Sequence, residues 1–371
     1  MEIEEGGINM PNIGKYVPIL KWKSGEQGAL KEMPDEAKND ITPLIEILPS
    51  CDEYGSDKYS DSFKKSIDRI SKNWGAKPFF LDVITWLASN LDTDALEVPH
   101  PYSLADSIIN NDIGDTLSPI FVAPLYLDKL AIKKLKETIS HFNNRIAIRI
   151  DEDAILESEL DNNIEFFINE LGISVELIDI IMDFQNIQGR KPKGQSRAIF
   201  QSLQSFPYLN KWNSITAAGT SFPETLQGFE TGISSLSRTN WLTWVELTKL
   251  AKQEGVRVPN FADYGISGVS MPLEFQPYMV MSANIRYTVE NDWLVLRGKS
   301  VRGPLGYEQY HKLCESLISL NEYSGTEFSW GDKRVDLCAK REVGPGNATT
   351  WRMAGTSHHI AFVLNQLANL P

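Results

Sequence analysis

The sequence predicts an α/β protein, a closed (β/α)8 TIM-type barrel with a C-terminal hairpin-plus-helix extension packed on it. Three observations predict this. Eight β-rich apolar runs recur between Tyr16 and Gly265, and a helical candidate separates each from its predecessor. Such alternation gives parallel strands with helical crossovers, and eight units in about 250 residues match the usual closed barrel. Several runs also carry an ionisable residue near their C-terminal end, where barrel enzymes build their sites. A doubly wound open sheet is the alternative.

The first run is YVPILKWK (16–23), followed by a short helix through GEQGALKEM. PLIEIL (43–48) precedes a helix over 61–75, and PFFLDVI (78–84) precedes one over 102–111. PIFVAPLYL (119–127) leads to 128–142, whose apolar residues repeat at helical spacing. RIAIRID (145–151) leads to 154–172, which closes on Gly172, a residue suited to a helix C-terminus. LIDIIMDF (177–184) precedes a helix over 196–206, and NSITAAGTSF (213–222) precedes one over 238–255. VPNFADYG (258–265) is the eighth run. Residues 1–14 read as a flexible lead-in, in which Met10 offers an alternative start, and 15–270 as the barrel.

From 271 to 371 the pattern breaks into an extension. A hairpin is expected over 284–301 with its turn near Glu290, Asn291 and Asp292. A helix follows over 306–320, then a short strand and a Gly/Pro-rich loop within 331–351, and a final helix over 357–370.

Composition narrows the function classes. The chain has 371 residues, 42% hydrophobic and 23% charged, as expected of a globular protein with a sizeable core. Its net charge of −13 argues against a general nucleic-acid-binding surface but leaves room for a local basic pocket. Cys51, Cys314 and Cys338 form no CxxC, so neither a disulfide framework nor a zinc knuckle follows, and a cytoplasmic setting is expected. No apolar run is long enough for a membrane span, and the acidic N-terminal stretch lacks the regions of a signal peptide. P-loop, GxGxxG, GxSxG and EF-hand patterns are absent from the sequence.

Alternate strand residues face a barrel interior. The inward sets expected are Val17, Ile19, Lys21 and Lys23; Leu44, Glu46 and Leu48; Phe80, Asp82 and Ile84; Ala147, Arg149 and Asp151; Ile181 and Asp183; Ala218 and Thr220; and Phe261 and Asp263. Buried charges are costly unless paired or facing a ligand. Glu46, Asp82, Asp183 and Asp263 are therefore candidate catalytic carboxylates, opposed by Lys21, Lys23 and Arg149 as candidate anion-binding groups. Such carboxylates can act as acid or base, or hold a hard divalent cation. No metal-ligand set is assigned, and the cofactor is not readable. The same charges can also be an internal salt-bridge network that fills the barrel.

TTWRMAGTSHHI (349–360) is the second candidate region. A helix start capped by Thr356 or Ser357, with Arg352 beside it, would favour an anion. His358 is a candidate catalytic group and His359 a candidate ligand-binding group. Adjacent positions on a helix point about 100° apart, so one metal shared by both is not expected. Arg286, with Arg297, Lys299 and Arg302 on the second hairpin strand, supplies further positive charge; the alternative is a solvated hairpin.

YVPILKWKSGEQGAL, PLIEILP, FFLDV and SWGDKRV…W…GTSHHI stand in an order and spacing that resemble the Beta protein family over roughly residues 15–365. These are bacterial and phage proteins found in mobile or anti-phage defence contexts. The matching polar positions are Lys21, Lys23, Glu26, Glu46, Asp82, Asp332, Trp351, His358 and His359. The resemblance implies a barrel-like α/β protein with a role in phage–host conflict and supplies no established catalytic residue. The expected function is recognition of a phage-derived protein, a defence-system subunit or an anionic ligand through the mixed-charge pocket. The alternative is a metal-dependent phosphodiester hydrolase or nuclease using the barrel-mouth carboxylates.

Overall fold

The computed structural model describes residues 14–47, 57–83, 100–113, 117–270 and 281–370. Expectations for the lead-in up to residue 13 and for Leu48 and Ile84 lie outside these residues. The eight barrel strands are β1 (Tyr16–Leu20), β2 (Leu44–Glu46), β3 (Pro78–Asp82), β4 (Ser118–Pro124), β5 (Ile146–Asp151), β6 (Ile178–Asn186), β7 (Ser214–Thr220) and β9 (Asn260–Asp263). They close in the order β1-β2-β3-β4-β5-β6-β7-β9, every pair parallel.

Both faces of these strands are buried, which is why they read as continuous apolar runs rather than alternating ones. Val17, Ile19, Leu44, Phe80, Ile120, Ala147, Ile181, Ala218 and Ala262 fill the interior. Leu20, Ile45, Leu81, Phe121, Ile148, Ile180 and Phe261 face the helical layer. The barrel helices include α1 (Ser24–Lys31), α3 (Asp57–Asn73), α4 (Pro101–Ile108), α5 (Lys129–Ile139), α7 (Leu160–Leu171), α8 (Pro192–Gln204) and α9 (Thr239–Glu254). Two single turns, α2 (Asp35–Lys38) and α6 (Glu152–Ile155), lie in connections. Asp128 and Asp151 cap α5 and α6 by accepting from the N–H groups of Ala131 and Ala154 at 2.7 and 2.9 Å. Helix α7 ends, as expected, on Gly172 in the left-handed region at φ 68°.

The interior is polar at its lower end too. Arg145 Nε donates to Asp179 Oδ2 at 2.9 Å, and Ser214 and Asn213 each donate to Asp179 Oδ1 at 2.6 Å. This plug, in which Arg145, Asp179 and Ser214 are buried, sits one inward step below Ala147 and Ile181, at the end of a barrel that serves stability.

The extension departs from expectation in three places. Strand β8 (Gly232–Ser237), which lies before residue 271, pairs with the hairpin strand β11 (Asp292–Ser300), and β11 pairs in turn with β10 (Ser282–Thr288). The segment read as a short strand after 331 is helix α11 (Trp330–Ala339), which follows α10 (Gln309–Ile318). The last helix, α12 (Ala348–Ala368), begins nine residues earlier than 357 and is capped by Asn347, which accepts from Thr350 N–H at 3.1 Å. Ile285, Tyr287, Leu296, Tyr310, Cys314, Leu317, Val335 and Trp351 form a hydrophobic cluster of the extension's own. Helix α12 lies against α1 of the barrel so closely that a Cβ on Gly25 would come within 2.6 Å of Arg352 Cγ.

Candidate functional site

Barrel closure brings Glu46, Asp82, Arg149 and Asp183 together at the C-terminal ends of β2, β3, β5 and β6. Arg149 is the hub. Its Nη1 donates to Glu46 Oε1 at 2.8 Å and to Asp82 Oδ2 at 2.9 Å. Its Nε donates to Asp183 Oδ2 at 2.9 Å, and its Nη2 to the Tyr264 hydroxyl at 2.7 Å. Tyr264 donates in turn to Asp183 Oδ2 at 2.6 Å. A bulge after Asp183 turns the Gln185 N–H onto Asp183 Oδ1 at 3.0 Å.

Three carboxylates thus share one guanidinium; the three acids are buried and the Arg149 side chain is partly buried. Burial opposes the charge on Arg149, but Tyr264, Asp183, Glu46 and Asp82 outweigh it and hold its pKa above the ordinary value. Burial pushes the Glu46 carboxyl up; Asp82 adds to this, and Arg149 and Lys21 oppose it. The net effect favours the protonated form of Glu46. A cation would have to displace Arg149 from these oxygens. Among the described residues no group of three or more His, Cys, Asp or Glu side chains could hold a metal ion. Arg149 already occupies the oxygens that could otherwise hold a hard divalent cation.

The other expected members lie elsewhere. β1 stops at Leu20, and Trp22 takes φ 48°, so Lys21 and Lys23 do not share a strand face. Lys21 is buried and donates to the carbonyls of Gly268 at 2.9 Å, Val269 at 2.6 Å and Ser270. Its three donors are spent on the loop after β9, not on a ligand. Lys23 is exposed at the start of α1, where its N–H donates to Glu26 Oε2 at 3.1 Å. Gly25 lies inside α1, where close packing against Arg352 leaves no room for a side chain. Asp151 points out of the barrel to cap α6.

Asp263 corrects the phase expected for the eighth strand. Ala262 and Tyr264 face inward, whereas Phe261 and Asp263 face the helices. Asp263 Oδ1 accepts from the Tyr16 hydroxyl at 2.7 Å, and His359 Nε2 lies 3.0 Å from Oδ2. His359 Nδ1 lies 2.7 Å from the Thr288 hydroxyl. Burial keeps the His359 pKa below the ordinary value although Asp263 works the other way. Burial alone would raise Asp263, but His359, Tyr16 and Arg238 bring it below the usual carboxylate range. The pair is a neutral imidazole donating to a carboxylate.

His358 Nδ1 lies 2.9 Å from Asp332 Oδ2 and its Nε2 lies 2.7 Å from the Thr288 carbonyl. Both nitrogens face oxygen atoms that can accept a hydrogen bond. Both histidines are fully buried in the middle of α12, not at its start. That overturns the expected anion site at a helix N-terminus and removes Asp263, His358 and His359 from the mouth.

A second constellation was only half legible. Arg286 and Arg352 line a cleft of about 630 Å³ with Arg297, Tyr307, Tyr310 and Trp351. Arg286 donates to the Ile266 carbonyl at 2.5 Å and lies over the Phe222 ring, its carbon 4.8 Å from the centroid. Arg352 donates to the Ser267 hydroxyl, and Arg297 to the Phe229 carbonyl and to Ser282 Oγ. Among the described residues none of the three arginines is in a salt bridge, and the cleft lining carries no carboxylate. Burial, reinforced by the Arg352 charge, pushes the Arg286 guanidinium well down. Sequence reading missed the cleft because its walls come from β10, β11 and α12 and from the loop before β8.

One loop separates the two constellations. Tyr264 belongs to the mouth, Ile266 and Ser267 hold Arg286 and Arg352, and Lys21 grips Gly268 to Ser270. Glu224 accepts from the N–H groups of Val269 and Ser270 at 2.9 and 3.1 Å.

No curated protein matches this chain. The family model described as Beta protein matches residues 16–365, so the chain belongs to the Beta protein family.

Proposed function

We propose that this protein is a recognition component of a phage–host conflict system and binds an anionic ligand in the cleft between barrel and extension. One observation carries this reading. Three arginines line one cavity without a described carboxylate beside them, whereas Arg149 at the mouth is fully engaged by acids. Guanidinium groups left without counterions in a partly desolvated site favour an anion. The ligand is free or is carried on a phage-derived protein or a defence-system subunit. The conflict setting is the one the family resemblance implies. Two buried cysteines without a disulfide, Cys314 and Cys338, support a cytoplasmic location, and no helix of the described residues is long and apolar enough to cross a membrane.

The test combines binding and protection. Pyrophosphate titrated into the purified protein should bind, and Arg297→Gln with Arg352→Gln should weaken it roughly tenfold or more. The same double variant, checked for folded yield, should lose protection in a phage plaquing assay. A folded double variant with full pyrophosphate binding would end this reading.

Hydrolytic chemistry at the mouth is the second reading, favoured by the raised Glu46 beside Asp82. In that case Asp82→Asn, folded, loses protection while pyrophosphate binding persists.

A further inference from the structure

The cleft has an aromatic wall as well as a cationic one. Tyr310 stacks on Trp351 with centroids 4.8 Å apart and planes 11° from parallel. Tyr307 lies beside Tyr310, with centroids 6.4 Å apart and planes 12° from parallel. Tyr310 and Trp351 are buried, but Tyr307 is 36% exposed. Tyr307 is thus the exposed ring of the three, and it lines the same cavity as Arg286, Arg297 and Arg352.

A planar π-system packs on such a ring by stacking, an interaction indifferent to the identity of the base. Guanidinium groups match phosphate oxygens in charge and fork geometry. The two walls are thus complementary to two halves of one molecule. A cavity of about 630 Å³ is in the range that encloses a small ligand and is too small for a folded partner. Resting on the anion-binding reading above, we propose that the cleft binds a nucleoside polyphosphate. Its base stacks on Tyr307, and its phosphates lie against Arg286, Arg297 and Arg352. The protein's overall charge of −13 makes the arginine cluster a local exception on an acidic body, which disfavours a long nucleic-acid strand crossing the surface.

Calorimetric titration of the full chain with adenosine triphosphate, guanosine triphosphate, tripolyphosphate, adenosine and a single-stranded oligonucleotide tests this. At least one nucleoside triphosphate should bind about tenfold more tightly than tripolyphosphate, the margin expected of one stacked base. Tyr307→Ala, at an exposed site, should erase that margin and leave tripolyphosphate unchanged. Arg352→Gln keeps the carbons packed on Gly25 and should weaken nucleotide and tripolyphosphate alike. Equal binding of tripolyphosphate and nucleotides, insensitive to Tyr307→Ala, overturns the nucleotide assignment while leaving the anion reading intact. Failure of every anion to bind overturns both. Tighter binding of the oligonucleotide than of any mononucleotide overturns the assignment to a small ligand.

Discussion

Arg149 illustrates how a residue can be found in a sequence and its role still be misjudged. Alternation along RIAIRID places it inside the barrel, and its depth there requires a partner. The number of partners comes from three other strands and is invisible in any one of them. With Glu46, Asp82 and Asp183 around it, Arg149 is a counterion that makes a triple carboxylate affordable, not a free anion receptor. Arg149→Met should therefore destabilise the protein by about 3–5 kcal/mol, because it leaves several buried charges unpaired. Chemical denaturation measures this, and a loss below about 1 kcal/mol would show that the acids relax into water or protonate without it. Glu46→Gln separates charge from shape. The folded-state pKa of Glu46 is raised, so the native state binds more protons than the unfolded chain above about pH 4.5. Wild-type stability should fall, relative to Glu46→Gln, as pH rises through that window and then level off.

Secondary-structure elements were legible where burial on both faces left a simple apolar signature, as in the eight barrel strands. The same signature hides phase. NFADYG offers an apolar or aromatic residue to both faces, and a one-residue slip sends Asp263 to the helices rather than to the mouth. Helix α11 was misread because its buried positions include Asp332 and Asp336, which breaks the apolar period a helix ordinarily shows. Strand β8 was missed because GISSLS is small and polar, and it gains its place from β11 alone. Helix α12 was started late because Gly355 resembles a boundary. Its actual role is close approach: a Cβ there would sit 2.7 Å from Ile266 Cδ1 and 2.8 Å from the Arg286 carbonyl oxygen. Gly355→Ala should push α12 away from the loop that separates mouth and cleft. A cost of about 1–3 kcal/mol is expected from overpacking, with weakened pyrophosphate binding, since Arg286 and Arg352 lie on either side of that contact. A variant of wild-type stability and affinity would show that α12 has room to move there.

The molecule is held together across its two parts by the HisHis pair that the sequence made conspicuous. His359 reaches down to Asp263 and Tyr16 of the barrel, His358 reaches across to Asp332 of α11, and both meet Thr288 at the end of β10. This joint should be acid-sensitive, and the sign can be worked out. The His359 pKa is lowered from 6.5, so below that pH the unfolded chain takes up a proton that the folded one refuses. Stability conferred by the neutral ring falls as pH drops from 6.5 towards the folded value. Asp263 contributes only further down, because its own lowered pKa leaves it ionised until pH falls below 3.8. Glu46 acts in the opposite sense above about pH 4.5, so the wild-type curve alone mixes the two. His359→Gln resolves them: its amide can donate to Asp263 and accept from Thr288 but cannot titrate. Denaturation midpoints taken from pH 7 to about pH 5 should fall more steeply for the wild type than for His359→Gln. Parallel curves would mean that the buried ring takes its proton as readily as a free one.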